Sequence, residues 1–479
     1  MPLFINELED KNNDSVLLPF GKDQLNPTIL KKYSGLSYEP TISLGPKEIT
    51  CFLHPENKLR IFVLGLGEDK DISKSCNYFR SLIYQYRTKF ELKINVICNH
   101  LTDDQLIGAV IGLRKGLHNS GTFKTNGNKF VEPIITIVLD KNRYSIANKA
   151  LQIVETQLST MFLVDHPANI KTPEFMGIHA KNSGEKHGFY VRVIEQSELK
   201  ELGLDALLAV GQGSSNPSVF IIMEYKPKGS PSQTPKLGLV GKGISFDTGG
   251  ISIKPSANMG YMKCDMAGGA AVMGAIELAA KLQLNIHVVG VVPAAEYSVD
   301  ANSIRPGDVI SSYSKKSIEV IDTDAEGRLI LADGLSYIIK NYQPEFLIDL
   351  ATLTGNCVAA LGNTASGMFT NNDKMAMELS KAGEDVNERV WRLPLWEDYA
   401  VEMNSEIADI KNLSSKPVAG AITAAKFLEF FIADHKNWVH LDIAGVAFTD
   451  SEFAKTRTAT AYGVRLLVKY MESLIEPKP

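Results

Sequence analysis

Residues 318–335, IEVIDTDAEGRLILADGL, place a β-branched run, an acidic loop and an amphipathic helical pattern in direct succession. The strand pattern runs to Ile321 and the helical pattern begins near Leu329, which predicts a strand–loop–helix unit of an α/β protein. Open α/β sheets bind their ligands beyond the carboxyl ends of their strands. The acidic loop, with Asp322, Asp324 and Glu326, is therefore predicted to lie at a ligand-binding edge.

The same alternation of strand and helix patterns extends on both sides of this unit and predicts two α/β domains. The smaller N-terminal domain, residues 1–144, should contain a mostly parallel sheet, and a helix over residues 145–166 should connect it to residues 167–479. That larger C-terminal catalytic domain should contain a central mixed sheet flanked by helices. Strands are predicted at 60–67, 92–98, 134–140, 189–195, 219–225, 237–241, 286–293, 316–321, 346–351 and 438–443, and helices at 71–89, 103–118, 197–209, 267–284, 329–341, 422–435 and 462–473.

Composition narrows the class of protein. The chain has 479 residues, 44% of them hydrophobic and 22% charged, and its formal net charge is −5. Such a balance provides no basic field for nucleic acid or for an acidic membrane surface. No window reaches the ~20 apolar residues of a membrane helix, and the five scattered cysteines form no CxxC pair. We therefore expect a soluble cytoplasmic protein with no membrane or nucleic-acid partner.

A second segment, residues 241–271, reads GKGISFDTGGISIKPSANMGYMKCDMAGGAA and is rich in glycine, lysine and aspartate. A phosphate-binding loop would require GxxxxGK[ST], and a dinucleotide fold would require GxGxxG. Both patterns are absent here, and Asp247 would place a carboxylate against a phosphate. The segment is therefore not predicted to bind a nucleotide.

The two segments together supply four carboxylates, which could neutralise two divalent cations: Asp247, Asp265, Asp324 and Glu326. Paired metal ions of this kind clamp the attacking and leaving oxygens of a hydrolysis. A histidine-built site is disfavoured, because HExxH is absent and His100, His166 and His440 are best interpreted as structural residues.

Simpler interpretations remain open at this point. The acids of residues 322–326 could cap the following helix, since negative charge complements a helix N-terminus. Lys242 and Lys254 could be solvated loop charges. Alternatively, one lysine could coordinate a metal as a neutral amine and the other could polarise a carbonyl. The residues alone favour a dimetal hydrolase over these alternatives.

Read together, the two segments resemble the signature segments of the leucyl (cytosol) aminopeptidase family. DLATLTG at 349–355, AGAITAAKFLEFF at 419–431 and WVHLDIAG at 438–445 are similar to that family as well. The resemblance covers the second domain. It implies a two-domain α/β dimetal metallopeptidase, assembled as a homohexamer, that removes Leu-like residues from peptides with a free N-terminus.

The resemblance also implies a role for each site residue. Lys242 and Asp265 would bind the more loosely held metal ion, Asp247 and Glu326 would bridge both ions, and Asp324 would complete the tighter site. The ions would be zinc, manganese or magnesium. Lys254 would contact the substrate carbonyl, and Arg328 would hold a bicarbonate ion acting as general base. The residue being removed would face Met262, Leu353, Ala444 and Ala447.

Two departures from the family pattern stand out. Asp322 occupies a position where the family usually has Asn, and this extra carboxylate leaves the metal preference open. The C-terminal TRTATAYGVRLL lacks the Thr-Gly pair common before Val-Arg, which leaves the entry to the last helix open.

Two other classes of function compete with this interpretation. Some family members bind DNA through the N-terminal domain, but basic residues are only scattered through 1–144 of this chain. A catalytically idle scaffold is disfavoured because every expected ligand position carries a ligand-type residue.

Overall fold

A computed structural model describes the chain as two compact units, Met1–Leu158 and Ser159–Pro479. The described residues are 3–8, 15–35, 42–56, 59–86, 93–118, 123–125, 132–227, 229, 234–454 and 456–475. Among them, no helix combines the length and apolar character needed to cross a bilayer.

The described part of the N-terminal unit forms a six-stranded sheet in the order β1-β6-β5-β2-β4-β3. Only the edge strand β3 runs antiparallel to its neighbour, so the predicted mostly parallel sheet is confirmed. The strands are β1 Leu3–Ile5, β2 Ser15–Gly21, β3 Ile49–Leu53, β4 Arg60–Gly67, β5 Lys93–Ile97 and β6 Ile134–Val138. The helices are α1 Pro27–Ser34, α2 Ile72–Tyr86, α3 Asp103–Gly116 and α4 Tyr144–Asp165, of which α4 continues into the second unit.

Packing of α2 against α3 explains the glycines of α3. A Cβ at Gly112 would lie 2.3 Å from the carbonyl oxygen of Cys76, so only glycine allows the two helices to approach this closely. Thr102 begins α3 with a capping box, in which its side chain and that of Gln105 each bind the other's backbone N–H.

The C-terminal unit contains the remaining strands and helices. The strands are β7 Tyr190–Ile194, β8 Val219–Tyr225, β9 Lys236–Gly241, β10 Gly243–Asp247, β11 His287–Tyr297, β12 Val309–Ser311, β13 Ser317–Glu319, β14 Phe346–Ala351, β15 Ser366–Thr370, β16 Val390–Arg392, β17 Ile410–Lys411, β18 Trp438–Asp442, β19 Phe448–Thr449 and β20 Thr458–Ala459. The helices are α5 Pro173–His187, α6 Gln196–Leu202, α7 Asp205–Gly211, α8 Ala267–Lys281, α9 Gly327–Tyr342, α10 Gly355–Leu361, α11 Asp373–Val386, α12 Gly420–Glu429 and α13 Val464–Ile475.

A mixed sheet forms the centre of this unit, as predicted. Its described strands lie in the order β16-β15-β18-β14-β9-β11-β8-β7, and β10 adds to β11. The middle strands β18, β14, β9 and β11 are parallel, whereas β8, β7 and β15 pair antiparallel with their inner neighbours. The carboxyl ends of the four parallel strands therefore meet at one edge.

Helices cover both faces of the central sheet. A Cβ at Gly290 would meet Ile276 of α8, whereas its neighbours Val289 and Val291 pack in one buried cluster with Leu331 of α9. Side chains alternate across a strand, so α8 and α9 lie on opposite faces.

Three elements of the C-terminal unit differ from the sequence-based expectations. The helix expected over 197–209 is two helices, because Gly203 ends α6 at φ 76°, a left-handed conformation that glycine adopts readily. The strand expected over 316–321 is β13, which ends at Glu319 and belongs to a separate sheet of β12, β13 and β17. Residues 243–247, which were not assigned a strand, form β10.

Candidate metal centre

The candidate site lies at the edge where the parallel strands of the C-terminal unit end. Lys242 follows β9, Thr352 follows β14, and Asp442 is the last residue of β18. Lys242 and Thr352 line a cavity of about 590 Å³. Asp442 supports its wall by accepting a hydrogen bond from the backbone N–H of Leu353. The expectation of a ligand site beyond the carboxyl ends of the strands is therefore matched by an observed cavity.

The backbone of Lys242 is fixed at the break between β9 and β10. Its N–H donates to the carbonyl oxygen of Leu350 at 3.0 Å, and its own carbonyl accepts from Gly269 at 2.8 Å. A Cβ at Gly241 would lie 2.6 Å from the carbonyl oxygen of Gly268, so glycine is required for this close approach. The first turn of α8 is therefore held directly against the backbone of Lys242.

The Lys242 side chain is only 3% exposed and ends between two carboxylates. Its Nζ lies 2.7 Å from Asp265 Oδ2 and 2.8 Å from Glu326 Oε1, and it donates to the carbonyl oxygen of Thr352 at 3.1 Å. Burial lowers the pKa of Lys242, but the charges of Asp265 and Glu326 outweigh it, and the pKa moves upward. This position therefore strongly stabilises a positive charge.

Three buried carboxylates converge here, and oxygens of Asp247, Asp265 and Glu326 lie within 4.8 Å of one another. Burial raises the pKa of Asp247, and Glu326 adds repulsion in the same direction. Burial likewise raises the pKa of Asp265, to about 6, despite Lys242. Negative charges held this closely at such depth require cations beside them.

Asp324 and Lys254 form the more open side of the cluster. Lys254 Nζ pairs with Asp247 Oδ2 at 2.8 Å and also with Asp324 Oδ1. Side-chain exposure is 37% for Asp324 and 19% for Lys254, so both groups are reachable from the cavity. Burial lowers the pKa of Lys254, yet the neighbouring carboxylates raise it above the usual value.

Thr323 joins the two sequence segments that carry the carboxylates. Its hydroxyl donates to the carbonyl oxygen of Gly249 and accepts from the N–H of Ser252, both at 2.8 Å. The Tyr297 hydroxyl donates to the Thr323 carbonyl oxygen at 2.9 Å. The loop after β10 and the loop before α9 are therefore held as one unit.

Helix capping does not explain the acidic loop. Glu326 occupies the N-cap position of α9, and its side chain makes no capping hydrogen bond. Asp322 Oδ1 accepts from the N–H of Asp324 at 2.9 Å, which orders the loop before the helix begins. One of the three acids therefore has a local structural role.

Arg328 is buried beside the carboxylates, 4% exposed, and donates through Nη1 to the carbonyl oxygen of Asn412 at 2.8 Å. Burial lowers its pKa to about 10, so the guanidinium stays protonated at neutral pH. Asn412 also binds the loop, donating from Nδ2 to the Asp322 carbonyl oxygen at 2.7 Å and accepting at Oδ1 from Ile321 at 2.8 Å.

An apolar part of the cavity wall is organised by Asp442. This fully buried carboxylate accepts from the backbone N–H groups of Leu353 and Ala444, each at 3.2 Å, and from the hydroxyl of Thr354 at 2.6 Å. Met262 also lines the cavity. Ala447, by contrast, is 3% exposed and is not among the described residues that line this cavity.

The donor set fits divalent cations. Carboxylate oxygens are preferred ligands of hard divalent ions, and Glu326 Oε2 is a buried oxygen without a hydrogen-bond donor among the described residues. Arg328 Nε is likewise buried without an acceptor among those residues, which fits a small anion. The cluster therefore offers binding groups for both cations and an anion.

Sequence reasoning missed three supporting residues: Thr323, Asn412 and Asp442. Thr323 and Asp442 lie within residues 318–335 and 438–445, but nothing in those segments indicates their partners. The partners of the three residues lie up to 91 positions away along the chain. The histidines interpreted as structural do have structural partners. His440 Nδ1 pairs with Asp349 at 2.6 Å, and His166 Nδ1 with the carbonyl oxygen of Phe162 at 2.8 Å.

Comparisons of this chain with a protein-family model and with individual proteins point to the same family. The model of the cytosol aminopeptidase family catalytic domain matches residues 159–468. A probable cytosol aminopeptidase of Chlorobium luteolum is 49% identical over 97% of this chain and 97% of its own length. Another, of Chloroherpeton thalassium, is 39% identical over 98% of each chain.

Among solved structures, the bottromycin maturation enzyme BotP in complex with Mn is similar over nearly the whole chain. The TM-score is 0.85 at 26% sequence identity, with coverage of 97% of this chain and 100% of that chain.

Proposed function

The chain belongs to the cytosol aminopeptidase family and is a metal-dependent aminopeptidase; from this premise we propose how its own residues bind and cleave a peptide. The observation that carries the proposal is the convergence of buried carboxylates from two distant segments around Lys242. An arrangement of so many buried charges is costly for folding alone, and it is characteristic of a functional site.

The site would hold two divalent ions, which would be zinc, manganese or magnesium. Their ligands would be the carboxylates of Asp247, Asp265, Asp324 and Glu326, together with Lys242 as a neutral amine. Lys242 Nζ lies between Asp265 and Glu326 oxygens at 2.7 and 2.8 Å, and in the metal-free site these charges stabilise its protonated form. Cations bound by the same carboxylates would repel that charge and favour the neutral amine. When bound, the ions supply Lewis-acid polarisation of the scissile carbonyl and lower the pKa of water. Four carboxylates balance four positive charges.

Lys254 would stabilise the transition state. Its ammonium faces the cavity, and its pairing with Asp247 and Asp324 keeps it protonated and oriented. A positive charge fixed near the substrate carbonyl stabilises the negative charge that develops on oxygen when water attacks. No reorganisation of solvent is then needed during the reaction.

Arg328 would bind a bicarbonate ion, which would act as general base. The buried Nε without an acceptor supports this role, and the bond from Nη1 to Asn412 fixes the guanidinium plane. A planar guanidinium recognises planar oxyanions in a bidentate manner.

The residue removed would be Leu-like and apolar. Met262, Leu353 and Ala444 line the cavity, and the bonds from Asp442 fix the Leu353 and Ala444 backbone. We include the buried Ala447 in the proposed pocket. An apolar pocket of this kind discriminates by about 1–3 kcal/mol per methylene group.

A cytoplasmic homohexamer is the proposed working form. Exposed apolar side chains of the C-terminal unit support an assembly: Trp391 at 64%, Trp396 at 64%, Val401 at 61%, Ile407 at 63% and Val418 at 61%. Subunit contacts would remove these apolar side chains from water. The relatives are named as cytosol aminopeptidases, which supports the compartment.

The proposal is tested by hydrolysis of leucine anilide. Purified protein should cleave it when Zn²⁺, Mn²⁺ or Mg²⁺ is added, and a chelator should abolish turnover. An acetylated N-terminus should block cleavage, because the free amino group is required. Equal cleavage of the acetylated substrate would contradict an aminopeptidase.

A further inference from the structure

One carboxylate in the cavity has no part in the proposed ligand set. Asp322 lines the cavity beside Asp324 and is half-buried. Two divalent ions balance the four ligand carboxylates, and Arg457, another lining cation, already pairs with Asp450 at 3.5 Å. Asp322 is therefore a cavity carboxylate that the proposed ligand set does not use.

The buried cation of this site, Arg328, does not pair with Asp322. Arg328 is influenced by the charge of Asp322, but no ion pair within 4.0 Å joins these two described residues. The Arg328 guanidinium is directed to the Asn412 carbonyl instead. Lys254 pairs with Asp247 and Asp324. Among the described residues, Asp322 therefore has no cationic partner.

Two buried polar residues, Asp442 and Asn412, hold different parts of the cavity wall. Asp442 holds the apolar wall through Leu353 and Ala444. Asn412 holds another part, because its side chain binds the backbone N–H and C=O of Asp322 and its neighbour Leu413 lines the cavity. A substrate with its first side chain on the apolar wall must extend its second residue elsewhere in the cavity.

We propose that Asp322 selects peptides whose second residue is Lys or Arg. This inference rests on the proposed function. Asp322 Oδ1 accepts from the N–H of Asp324, which fixes the side chain, so its charge is presented at a defined place without further ordering. A cationic side chain would gain a favourable interaction there, whereas an acidic side chain would be repelled.

The test compares kcat/KM for the tripeptides Leu-Lys-Gly, Leu-Met-Gly and Leu-Glu-Gly, which share the first residue and the terminal charges. The wild-type protein should prefer Lys over Met by about fivefold, the upper range for a partly exposed ion pair, and should disfavour Glu. High salt should reduce the preference.

Asp322→Asn is the matched variant, since its side-chain oxygen can still accept from Asp324. It should bring the Lys and Glu peptides to within about twofold of each other. Asp322→Ser replaces the carboxylate with a neutral hydroxyl, and it should likewise bring the rates for the Lys and Glu peptides together. Equal wild-type rates for the three peptides, or a preference that survives in both variants, would overturn the inference while leaving the aminopeptidase intact. If none of the three were cleaved, the proposed function itself would be wrong, and the inference with it.

Discussion

At the scale of single residues, the ligand-type side chains could be predicted because they fall within two contiguous segments. Asp247 and Asp265 belong to one, and Asp324 and Glu326 to the other. Their convergence could not be read from spacing alone. It depends on Thr323 joining the two loops and on Gly269 approaching Lys242, both of which are contacts made by the folded chain.

Lys254 provides a prediction about charge. Lys254→Met should reduce kcat by about 100- to 1,000-fold, the typical effect of removing one group that stabilises a developing oxyanion. KM should change much less. Steady-state kinetics on leucine anilide provide the measurement, and Lys254→Arg is the control because it keeps the positive charge. A Met variant within a few-fold of wild type would exclude the assigned role.

Gly327 provides a prediction about space. A Cβ there would lie 2.5 Å from Lys242 Nζ and 2.4 Å from Lys242 Cε. The lysine cannot move away freely, because it is buried and held by Asp265 and Glu326. Gly327→Ala should therefore displace it and lower the metal content per chain, measured by mass spectrometry.

Gly355 supplies the matched control for that substitution. It also occupies the first position of a helix, α10, and a Cβ there would meet no heavy atom within 4 Å. Gly355→Ala should keep its metal content, so an equal loss in both variants would point to a general effect of alanine.

At the scale of elements, strand and helix patterns predicted most of the central sheet because buried parallel strands are continuous apolar runs. The elements that were missed depend on tertiary contacts. Only Lys242 separates β9 from β10. Strand β10 forms because it pairs with Ala294 and Ala295 of β11, a tertiary contact that the local sequence does not indicate. Likewise, β13 is three residues long and pairs with the distant β17, so its sheet could not be inferred.

Asp333 of α9 provides a prediction about pH at this scale. It is fully buried and accepts from the N–H groups of Leu207 in α7 at 2.9 Å and Tyr313 at 2.7 Å. Burial raises its pKa from 3.8 to about 7. The folded state then holds a proton that the unfolded state releases, so the stability from Asp333 falls as pH rises from about 4 to about 7.

The measurement is the difference in melting temperature between wild type and Asp333→Asn. Wild type should be favoured more at about pH 5 than at about pH 7.5, because only its side chain titrates over this range. Groups shared by both proteins, including the metal ligands, cancel in the difference. A gap that is constant with pH, or that widens toward higher pH, would contradict the assigned pKa.

At the scale of the whole molecule, the two α/β units and the mixed catalytic sheet follow from the alternation of patterns along the chain. The chain alone, however, contains no signal for assembly. The exposed Trp391 and Trp396 become visible as surface residues only in the folded unit. The assembly therefore remains a proposal, and the mass of the particle in solution would test it.

The central claim is that one chain holds two divalent ions through the carboxylates around Lys242. It is tested most directly by titrating metal-depleted protein with Mn²⁺ or Zn²⁺ while bound metal and leucine anilide hydrolysis are followed together. We expect activity to saturate at two ions per chain, and Glu326→Ala to lose both tight binding and turnover. Full activity in the depleted protein, or an unchanged stoichiometry in Glu326→Ala, would contradict the account.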